Sequence, residues 1–163
     1  MKRIGLLSDT HCFFDEKVKK FLEDVDEIWH AGDIGDTETF KTISDFKPLK
    51  AVYGNIDNSD LRHDLKEYEL FDIEGVKVLM IHIGGYPGNY QKVAKELISF
   101  YKPNLFISGH SHILKVMFDK KKDLLHINPG AVGKNGFHKV RTAVRFEIDG
   151  TEIQKLEVWE AER

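Results

Sequence analysis

Seven side chains of types that bind transition metals follow short apolar segments of this sequence. They are two aspartates, one asparagine and four histidines, namely Asp9, His11, Asp33, Asn55, His82, His110 and His112. Carboxylate, amide and imidazole ligands without a thiolate suit Mn²⁺, Fe, Ni²⁺ or Zn²⁺, and they do not suit a closed structural zinc site. Two such ions about 3.5–4 Å apart can share a water, lower its pKa and direct the hydroxide at phosphorus. The residue types therefore favour metal-assisted hydrolysis of a phosphate ester.

The remaining histidines and the cysteine have simpler interpretations. His30 falls inside a predicted strand, where a hydrogen-bonded core residue or a support for a ligand is favoured over a ligand. His63, His126 and His138 are not expected to bind metal. The thiolate of Cys12 could reach a metal because its neighbour is a predicted ligand, but a buried small hydrophobic side chain is favoured there.

Strands and helices alternate in the first half of the chain, which predicts a βαβαβ unit. The predicted elements are strands at 4–7, 28–31 and 49–53, with helices around 18–25 and 38–46. Asp36 is the predicted N-cap of the second helix, and Pro48 lies just beyond its end. This pattern is typical of a parallel sheet with crossover helices.

The second half is predicted to be mostly β-structure. The predicted elements are a hairpin of strands 69–73 and 76–83, a helix over 93–101, strands at 105–108, 114–118 and 124–127, and a final hairpin of strands 142–148 and 153–159. Lys120 to Lys122 are expected at a solvated hairpin tip. We therefore predict an α/β fold in which residues 1–163 form a single domain, a four-layer αββα sandwich of two mixed β-sheets flanked by helices.

The candidate ligands lie at the ends of five predicted strands. In open α/β sheets, ligands bind in the crevice beyond the carboxyl ends of the strands, so residues far apart in sequence meet there. Glycines stand beside them, at Gly32, Gly54, Gly84 and Gly109, and are expected to let the backbone turn sharply after each strand. The predicted fold thus gathers the seven side chains into one site.

Taken in order, five sequence fragments resemble the calcineurin-like metallophosphoesterases. The fragments are SDTH at 8–11, GD at 32–33, GNID at 54–57, His82, and GHSH at 109–112. The short length, the position of GNID and the NPG at 128–130 are most similar to the small YfcE-like branch of that family. The resemblance covers almost the whole chain.

This resemblance implies how the ligands divide between two metal ions. One ion would be held by Asp9, His11, Asp33 and His112, and the other by Asp33, Asn55, His82 and His110, with Asp33 bridging the pair. A hydroxide bridging the ions would attack phosphorus in line. Asn55 and Asp57 are assigned to the catalytic machinery, Asp57 as a residue that orients a ligand or the GNID loop. Mn²⁺ is the metal expected first, with Ni²⁺, Zn²⁺ or Fe as alternatives.

The sequence departs from the family pattern at three positions. Ile56 stands where larger members have a histidine thought to protonate the leaving group, and an alkyl chain cannot donate a proton. Gly84 replaces a histidine that is usually an additional ligand, so one metal is expected to bind more loosely. Cys12 replaces a glycine that commonly follows the ligand histidine. Aryl diesters are therefore expected to be cleaved faster than alkyl monoesters.

Two functions remain open at this point. The first is a phosphodiesterase, or more broadly a phosphoesterase, that acts on a small-molecule phosphate ester. The second is a non-catalytic protein-binding scaffold, because a eukaryotic retromer subunit resembles the same small branch. The complete set of ligand types favours the enzyme.

Composition excludes several other classes of protein. A net charge of -3 and a pI near 6.2 argue against general nucleic-acid binding. No apolar run approaches the roughly 18 residues that would cross a bilayer, and the N-terminal segment is too short for a signal-peptide core. The single cysteine excludes an internal disulfide, so we expect a cytoplasmic protein. Self-association is left open.

One loop is predicted to form a wall of the substrate pocket. Residues 84–90 follow the candidate ligand His82 and are rich in turn-forming types. Tyr86 or Tyr90 would stack on an aromatic ester, and core packing of both rings is an equal alternative.

Overall fold

The computed structural model describes residues 1–163 as two five-stranded mixed sheets, four helices and a small two-stranded ribbon. The helices are α1 (Glu16–Phe21), α2 (Thr37–Phe46), α3 (Ser59–Asp64) and α4 (Lys92–Tyr101). The strands are β1 (Lys2–Leu7), β2 (Glu27–His30), β3 (Leu49–Ala51), β4 (Tyr68–Ile73), β5 (Val76–Ile81), β6 (Gly85–Tyr86), β7 (Asn89–Tyr90), β8 (Leu105–Ile107), β9 (Leu114–Asp119), β10 (Leu124–Pro129), β11 (Val140–Asp149) and β12 (Glu152–Glu162).

The first sheet has the strand order β12-β11-β1-β2-β3. Its β1, β2 and β3 are parallel and are joined by α1 and α2, as the alternating apolar pattern predicted. The side chain of Asp36 accepts a hydrogen bond from Thr39 N at 2.8 Å, which confirms the predicted N-cap of α2. Antiparallel β11 and β12 complete the sheet as the predicted hairpin about Asp149 and Gly150.

The second sheet has the strand order β4-β5-β8-β10-β9. Its centre consists of the parallel strands β5, β8 and β10, and each outer strand joins as one arm of a hairpin. Lys120 to Lys122 form the turn between β9 and β10, which confirms the predicted hairpin tip. The carboxyl ends of β5 and β8 therefore open toward the same region of the molecule as those of β1 to β3.

Apolar side chains from both sheets form the main core between them. At its centre the Trp29 ring packs edge-on against Phe71 at 5.0 Å and Phe146 at 5.9 Å. The outer face of the first sheet is covered by α1 and α2, through residues such as Val18 and Ile43. The outer face of the second sheet is covered by α4, through residues such as Ile98. This arrangement confirms the predicted four-layer αββα sandwich.

The structure adds short elements that the sequence pattern did not predict. Helix α3 and the ribbon of β6 and β7 are new, and β3 ends two residues earlier than the predicted strand at 49–53. These elements are too short to show a readable hydrophobic period. The longest helices have ten residues, and none is long and apolar enough to cross a membrane.

Candidate metal centre

The predicted ligands meet at the carboxyl ends of five strands. Asp9 and His11 follow β1, Asp33 follows β2, Asn55 follows β3, His82 follows β5, and His110 and His112 follow β8. Six of them form two groups in which all potential ligand atoms lie within 4.8 Å of one another. We call Asp9, His11 and His112 the first cluster, and Asp33, His82 and His110 the second cluster. The structure thus brings together side chains that are about one hundred residues apart in sequence.

Five of these residues have a left-handed backbone, which is uncommon for residues other than glycine. The φ angles are 54° at Asp9, 45° at His11, 57° at Asp33, 71° at His110 and 62° at His112. Each such conformation costs on the order of 1–3 kcal/mol when the residue has a bulky side chain. Strain concentrated at strand ends is a feature of functional sites, because it turns a side chain out of the sheet and into the crevice.

Two of the glycines beside the ligands serve a different purpose from the one predicted. Of the four that the sequence singled out, only Gly32 has a positive φ, at 100°. At Gly54 an added Cβ would overlap the carboxylate of Asp33, and at Gly109 it would overlap the hydroxyl of Ser8. The ligand loops therefore pack too closely for a side chain at these two positions, and the expected turn-forming role was wrong for them.

The first cluster is supported by buried hydrogen bonds. Asp9 is fully buried, and its Oδ2 accepts from the Ser8 hydroxyl at 2.6 Å and from the backbone N–H of His110 at 3.0 Å. Its other oxygen, Oδ1, lies 3.1 Å from His112 Nε2 and 3.7 Å from His11 Nε2. One carboxylate oxygen is thus held by the protein while the other faces two imidazoles.

His138 sets the orientation of the His112 ring, a role that sequence reasoning missed. Its Nε2 lies 2.8 Å from the carbonyl oxygen of Gly133, and its Nδ1 lies 3.2 Å from Nδ1 of His112. A carbonyl can only accept, so Nε2 of His138 donates and its Nδ1 is left to accept from His112 Nδ1–H. The Nε2 of His112, which faces Asp9, is then free for a metal.

The second cluster has a mixture of buried and exposed members. The Nδ1 of His82 donates to the carbonyl oxygen of Ala31 at 2.7 Å, which leaves its Nε2 free toward the cluster. The Oδ1 of Asn55 lies 3.1 Å from this Nε2 and 3.1 Å from Nδ1 of His110. His110 is exposed, and its imidazole has no other hydrogen-bond partner. The predicted grouping of Asn55 with His82 and His110 is therefore present in the geometry.

Asp33 stands between the two clusters. Its Oδ1 accepts from the backbone N–H of Ile56 at 3.1 Å. Its Oδ2 lies 3.5 Å from His11 Nε2 in the first cluster and 3.2 Å from His82 Nε2 in the second. A single oxygen is thus within reach of one imidazole from each group, as a bridging ligand requires.

Asp57 lies behind the site and connects two of its loops. Its carboxylate accepts from the backbone N–H groups of Gly54 at 2.7 Å, Gly35 at 2.8 Å and Asp33 at 3.1 Å. Burial raises the pKa of Asp57, although the hydrogen bonds from Gly54 and Gly35 act in the opposite direction. These contacts fit a residue that orients both the loop of Asp33 and the loop of Asn55.

The carboxylates of the site and two of its imidazoles shift one another's pKa values. The carboxylates of Asp33 and Asp9, which lie 3.5 Å and 3.7 Å from its Nε2, raise the pKa of His11 to about 9. Burial acts against ionisation of both aspartates, but the surrounding histidines hold their pKa values below the ordinary range. For His82 burial opposes ionisation, and the bond to Asp33 outweighs it, so the pKa of His82 is also raised. The two carboxylates thus keep full negative charge, which favours binding of cations.

Two buried atoms of the first cluster have no hydrogen-bond partner, namely Asp9 Oδ1 and His11 Nε2. A buried polar atom without a partner costs roughly 1–3 kcal/mol, so native proteins rarely keep one without a function. Both atoms are of types that bind divalent transition metals. The residues therefore fit a metal ion at this position.

The histidines predicted to be structural differ in their surroundings. His30 is fully buried, its Nε2 bonds the Thr10 hydroxyl at 3.0 Å, and burial lowers its pKa to about 3, which confirms a hydrogen-bonded core residue. His126 is also buried, and burial lowers its pKa to about 4. His63 is exposed on the surface. The prediction for Cys12 was wrong, because this side chain is exposed rather than buried.

Three pockets border the clusters, and two of them are lined by His110 together with a neighbouring loop. One has a volume of about 150 Å³ and is lined by His110, Lys115 and the 84–90 loop, including Tyr86. The other has a volume of about 440 Å³ and is lined by residues of the first cluster together with the loop at 135–138. Both pockets are large enough for part of a small ester bound at the clusters.

The two tyrosines of the 84–90 loop have different surroundings. Tyr86 is 41% exposed, and the ammonium of Lys115 lies 4.2 Å from its ring centroid. Tyr90 packs edge-on against Phe106 at 5.6 Å and donates its hydroxyl hydrogen to Asp119 at 2.6 Å. Core packing thus accounts for Tyr90, while Tyr86 lies at the pocket.

Comparison with known proteins agrees with this geometry. Residues 1–151 match the family model of the calcineurin-like phosphoesterase superfamily domain. A probable metallophosphoesterase of Methanothermobacter thermautotrophicus is 30% identical over 136 residues, which cover 78% of this chain and 76% of that protein.

Solved structures share the fold at lower sequence identity. Vps29 of Chaetomium thermophilum has a TM-score of 0.78 at 14% identity, with 99% of this chain and 97% of that chain covered. A structure described as a novel archaeal phosphodiesterase has a TM-score of 0.72 at 22% identity, with 96% of this chain and 99% of that chain covered.

Proposed function

The chain belongs to the calcineurin-like phosphoesterase superfamily, and we propose that it is a phosphodiesterase that works with two divalent transition-metal ions. Mn²⁺ is the ion we propose first, with Ni²⁺, Zn²⁺ and Fe as alternatives, because mixed oxygen and imidazole ligands suit all of them. The substrate is a small phosphate ester. The preference for a diester is supported by the fold that the chain shares with the archaeal phosphodiesterase.

The position of Asp33 Oδ2 carries the two-metal proposal. This oxygen is 3.5 Å from a nitrogen of the first cluster and 3.2 Å from a nitrogen of the second. In the proposed assignment Asp9, His11, Asp33 and His112 hold one ion, and Asp33, Asn55, His82 and His110 hold the other. When bound, two such ions supply a water of lowered pKa as the nucleophile and positive charge for the phosphoryl oxygens.

Hydrogen bonds within the protein orient the ligand side chains. Bonds from Ser8 to Asp9, from Ile56 N–H to Asp33 and from His82 to the Ala31 carbonyl each fix a ligand so that one atom faces the crevice. Because these partners are in place before substrate arrives, little reorganisation is needed during the reaction. We propose that Asp57 contributes in the same way, by holding the loops of Asp33 and Asn55 together.

The leaving group receives no proton from the side chain at position 56. Ile56 is 44% exposed at the rim of the site and cannot donate a proton, whereas a placed acid is typically worth about 10²–10⁴-fold in rate. Esters whose leaving groups need no proton, such as nitrophenyl diesters, should therefore be the best substrates. Tyr86 is positioned at the neighbouring pocket to contact an aryl group.

The experiment is a substrate series measured with metal-loaded and chelated protein. We expect activity on nitrophenyl diesters that is abolished by chelation and restored by Mn²⁺, and a steep dependence of rate on leaving-group pKa. Ile56→His should flatten that dependence. Full hydrolysis by protein shown to be metal-free by elemental analysis would overturn the proposal.

A protein-binding scaffold is the second candidate, because the fold is also that of Vps29. We favour the enzyme because all seven predicted ligands are present and two buried ligand atoms of the first cluster have no hydrogen-bond partner. Metal binding without hydrolysis of any ester in the series would favour the scaffold.

A further inference from the structure

Strand β9 exposes an unusual run of hydrophobic residues at the edge of the second sheet. Val116, Met117 and Phe118 are 43%, 44% and 54% exposed, and they are consecutive. Val116 and Phe118 lie on one face of the strand and Met117 on the other, because side chains alternate. The strand therefore presents apolar side chains on both faces beside a row of unpaired backbone groups, which is a template for pairing with another strand.

The other sheet edges are protected against such pairing. β3 has only three residues. β12 alternates charged residues with others along its length, and its pairing with β11 has a register shift between Arg145 and Glu147. β4 contains Glu69 and Asp72, and the ammonium of Lys50 lies 4.1 Å from the ring centroid of its Phe71. Short edges, charges and irregular register are the usual means of preventing edge association, and the centre of β9 has none of them.

The sequence of β9 is complementary to itself when two copies run antiparallel. If the pairing is centred on Met117, Lys115 of each copy lies opposite Asp119 of the other. In the same register Val116 lies opposite Phe118, and Met117 lies opposite Met117. Cross-strand pairs of opposite charge and of apolar residues are the ones that stabilise antiparallel sheets. Strand β9 therefore fits a second copy of itself.

The charged residues at the two ends of β9 form no ion pair within their own chain. Lys115 forms no ion pair, and its ammonium contacts only the ring of Tyr86. Asp119 accepts from the Tyr90 hydroxyl and from the backbone N–H groups of Lys121 and Lys122, and no basic side chain lies within ion-pair distance of it. Each charge thus lacks an oppositely charged partner within its own chain.

We propose that the protein forms a two-fold symmetric dimer in which β9 of one copy pairs antiparallel with β9 of the other, centred on Met117. The second sheets of both copies then become one continuous ten-stranded sheet. The interface is isologous, because the same strand is used by both copies. A six-residue strand is much smaller than the roughly 20–30 residues per side of a stable interface, so the dimer dissociates on dilution.

Sedimentation velocity of the full chain across a wide concentration range is the test. The wild type should pass from monomer to dimer, and hydrogen exchange of the β9 amides should slow as the dimer forms. Met117→Lys places two ammonium groups opposite each other at the two-fold axis, and should weaken dimerisation at least tenfold. Lys95→Asp, on the exposed surface of α4, is the control for a change of charge and should leave the dimer intact.

Charge reversal tests the register. Lys115→Asp places two aspartates opposite each other, and Asp119→Lys places two lysines opposite each other, so each variant alone should be monomeric. Mixed in equal amounts, the two variants should form a heterodimer. A wild type that stays monomeric at every concentration would overturn the proposal. So would a dimer unaffected by Met117→Lys, or an edge that binds an extended peptide but not a second copy.

Discussion

The two ligand clusters contain the same residue types but differ in how the protein supports them. In the first cluster Asp9 is held by Ser8 and by the His110 backbone, and His112 is held by His138. In the second, His82 is held by a backbone carbonyl, but His110 is exposed and its imidazole is within hydrogen-bond distance of Asn55 only. The first cluster is therefore the more rigid of the two.

This difference predicts that the two clusters bind metal with different affinities. A rigid, buried group of ligands binds a metal tightly, because little ordering is needed when the ion enters. Exposed ligands such as Asn55 and His110 lose more freedom on binding, and His110 borders the pocket that contains Tyr86. Gly84 stands where the family pattern has an additional ligand histidine, and its lack of an imidazole is also expected to weaken metal binding at the second site. We expect a tight first site and a weaker second site beside the substrate.

Of the substitutions proposed here, Asp33→Asn should have the largest effect on activity and metal content, because Asp33 is the residue that faces both clusters. The substitution removes the negative charge next to His11 and His82 and should reduce activity by more than the roughly 10–100-fold typical of losing a supporting contact. Hydrolysis of a nitrophenyl diester and metal content by elemental analysis are the measurements. Asp24→Asn on the surface is the matched control, and near-normal activity with one bound metal in Asp33→Asn would contradict the shared site.

Substitutions in the two clusters should separate their affinities. In titration calorimetry with Mn²⁺, the wild type should bind two equivalents of different affinity. His110→Ala should lose the weaker equivalent and keep the tighter one, whereas His112→Ala should lose the tighter one. The opposite pattern would show that burial of the first cluster does not determine metal affinity.

His138→Ala should weaken metal binding at the first cluster without removing a ligand. Loss of a residue that holds a metal-binding imidazole typically costs about 10–100-fold in affinity. The affinity of the second cluster for Mn²⁺ should not change. The affinities of the two clusters should therefore become more similar. His63→Ala, on the exposed surface, is the control, and nitrogen NMR of His112 should show a change of tautomer only in the His138 variant.

The pH dependence should report the proton on His11. Its pKa is raised from the ordinary 6.5 to about 9, so between these values the folded metal-free chain carries a proton that the unfolded chain lacks. Stability of the metal-free protein should therefore be greatest below pH 6.5 and fall as pH rises toward 9. Metal must displace this proton, so affinity should rise about tenfold per pH unit in the same window. Thermal unfolding with and without His11→Asn, and metal titration at several pH values, test both trends; a flat profile would contradict them.

Residues that follow strands could be identified from the sequence. His82 comes immediately after β5 and Asp33 comes three residues after the end of β2, and the carboxyl ends of neighbouring parallel strands meet at one edge. The same local patterns predicted the N-cap of α2 at Asp36 and the hairpins formed by β4 with β5 and by β11 with β12. The prediction for Cys12 was wrong because burial of a single side chain depends on what packs over it. Helix α3 was not predicted because its six residues include only one buried apolar side chain, which is too few to show a helical period.

The sequence by itself determined which residues could bind metal and the strands that carry them, because residue type and hydrophobic period are local properties. Only the tertiary structure decided how they are held. The left-handed backbone at five ligands, the three amides on Asp57 and the contact of His138 with His112 arise where separate loops of the site pack together. Residues 112 and 138 share no periodic pattern. Their contact exists because the sandwich brings the two loops within hydrogen-bond distance, and that depends on the packing of the whole core.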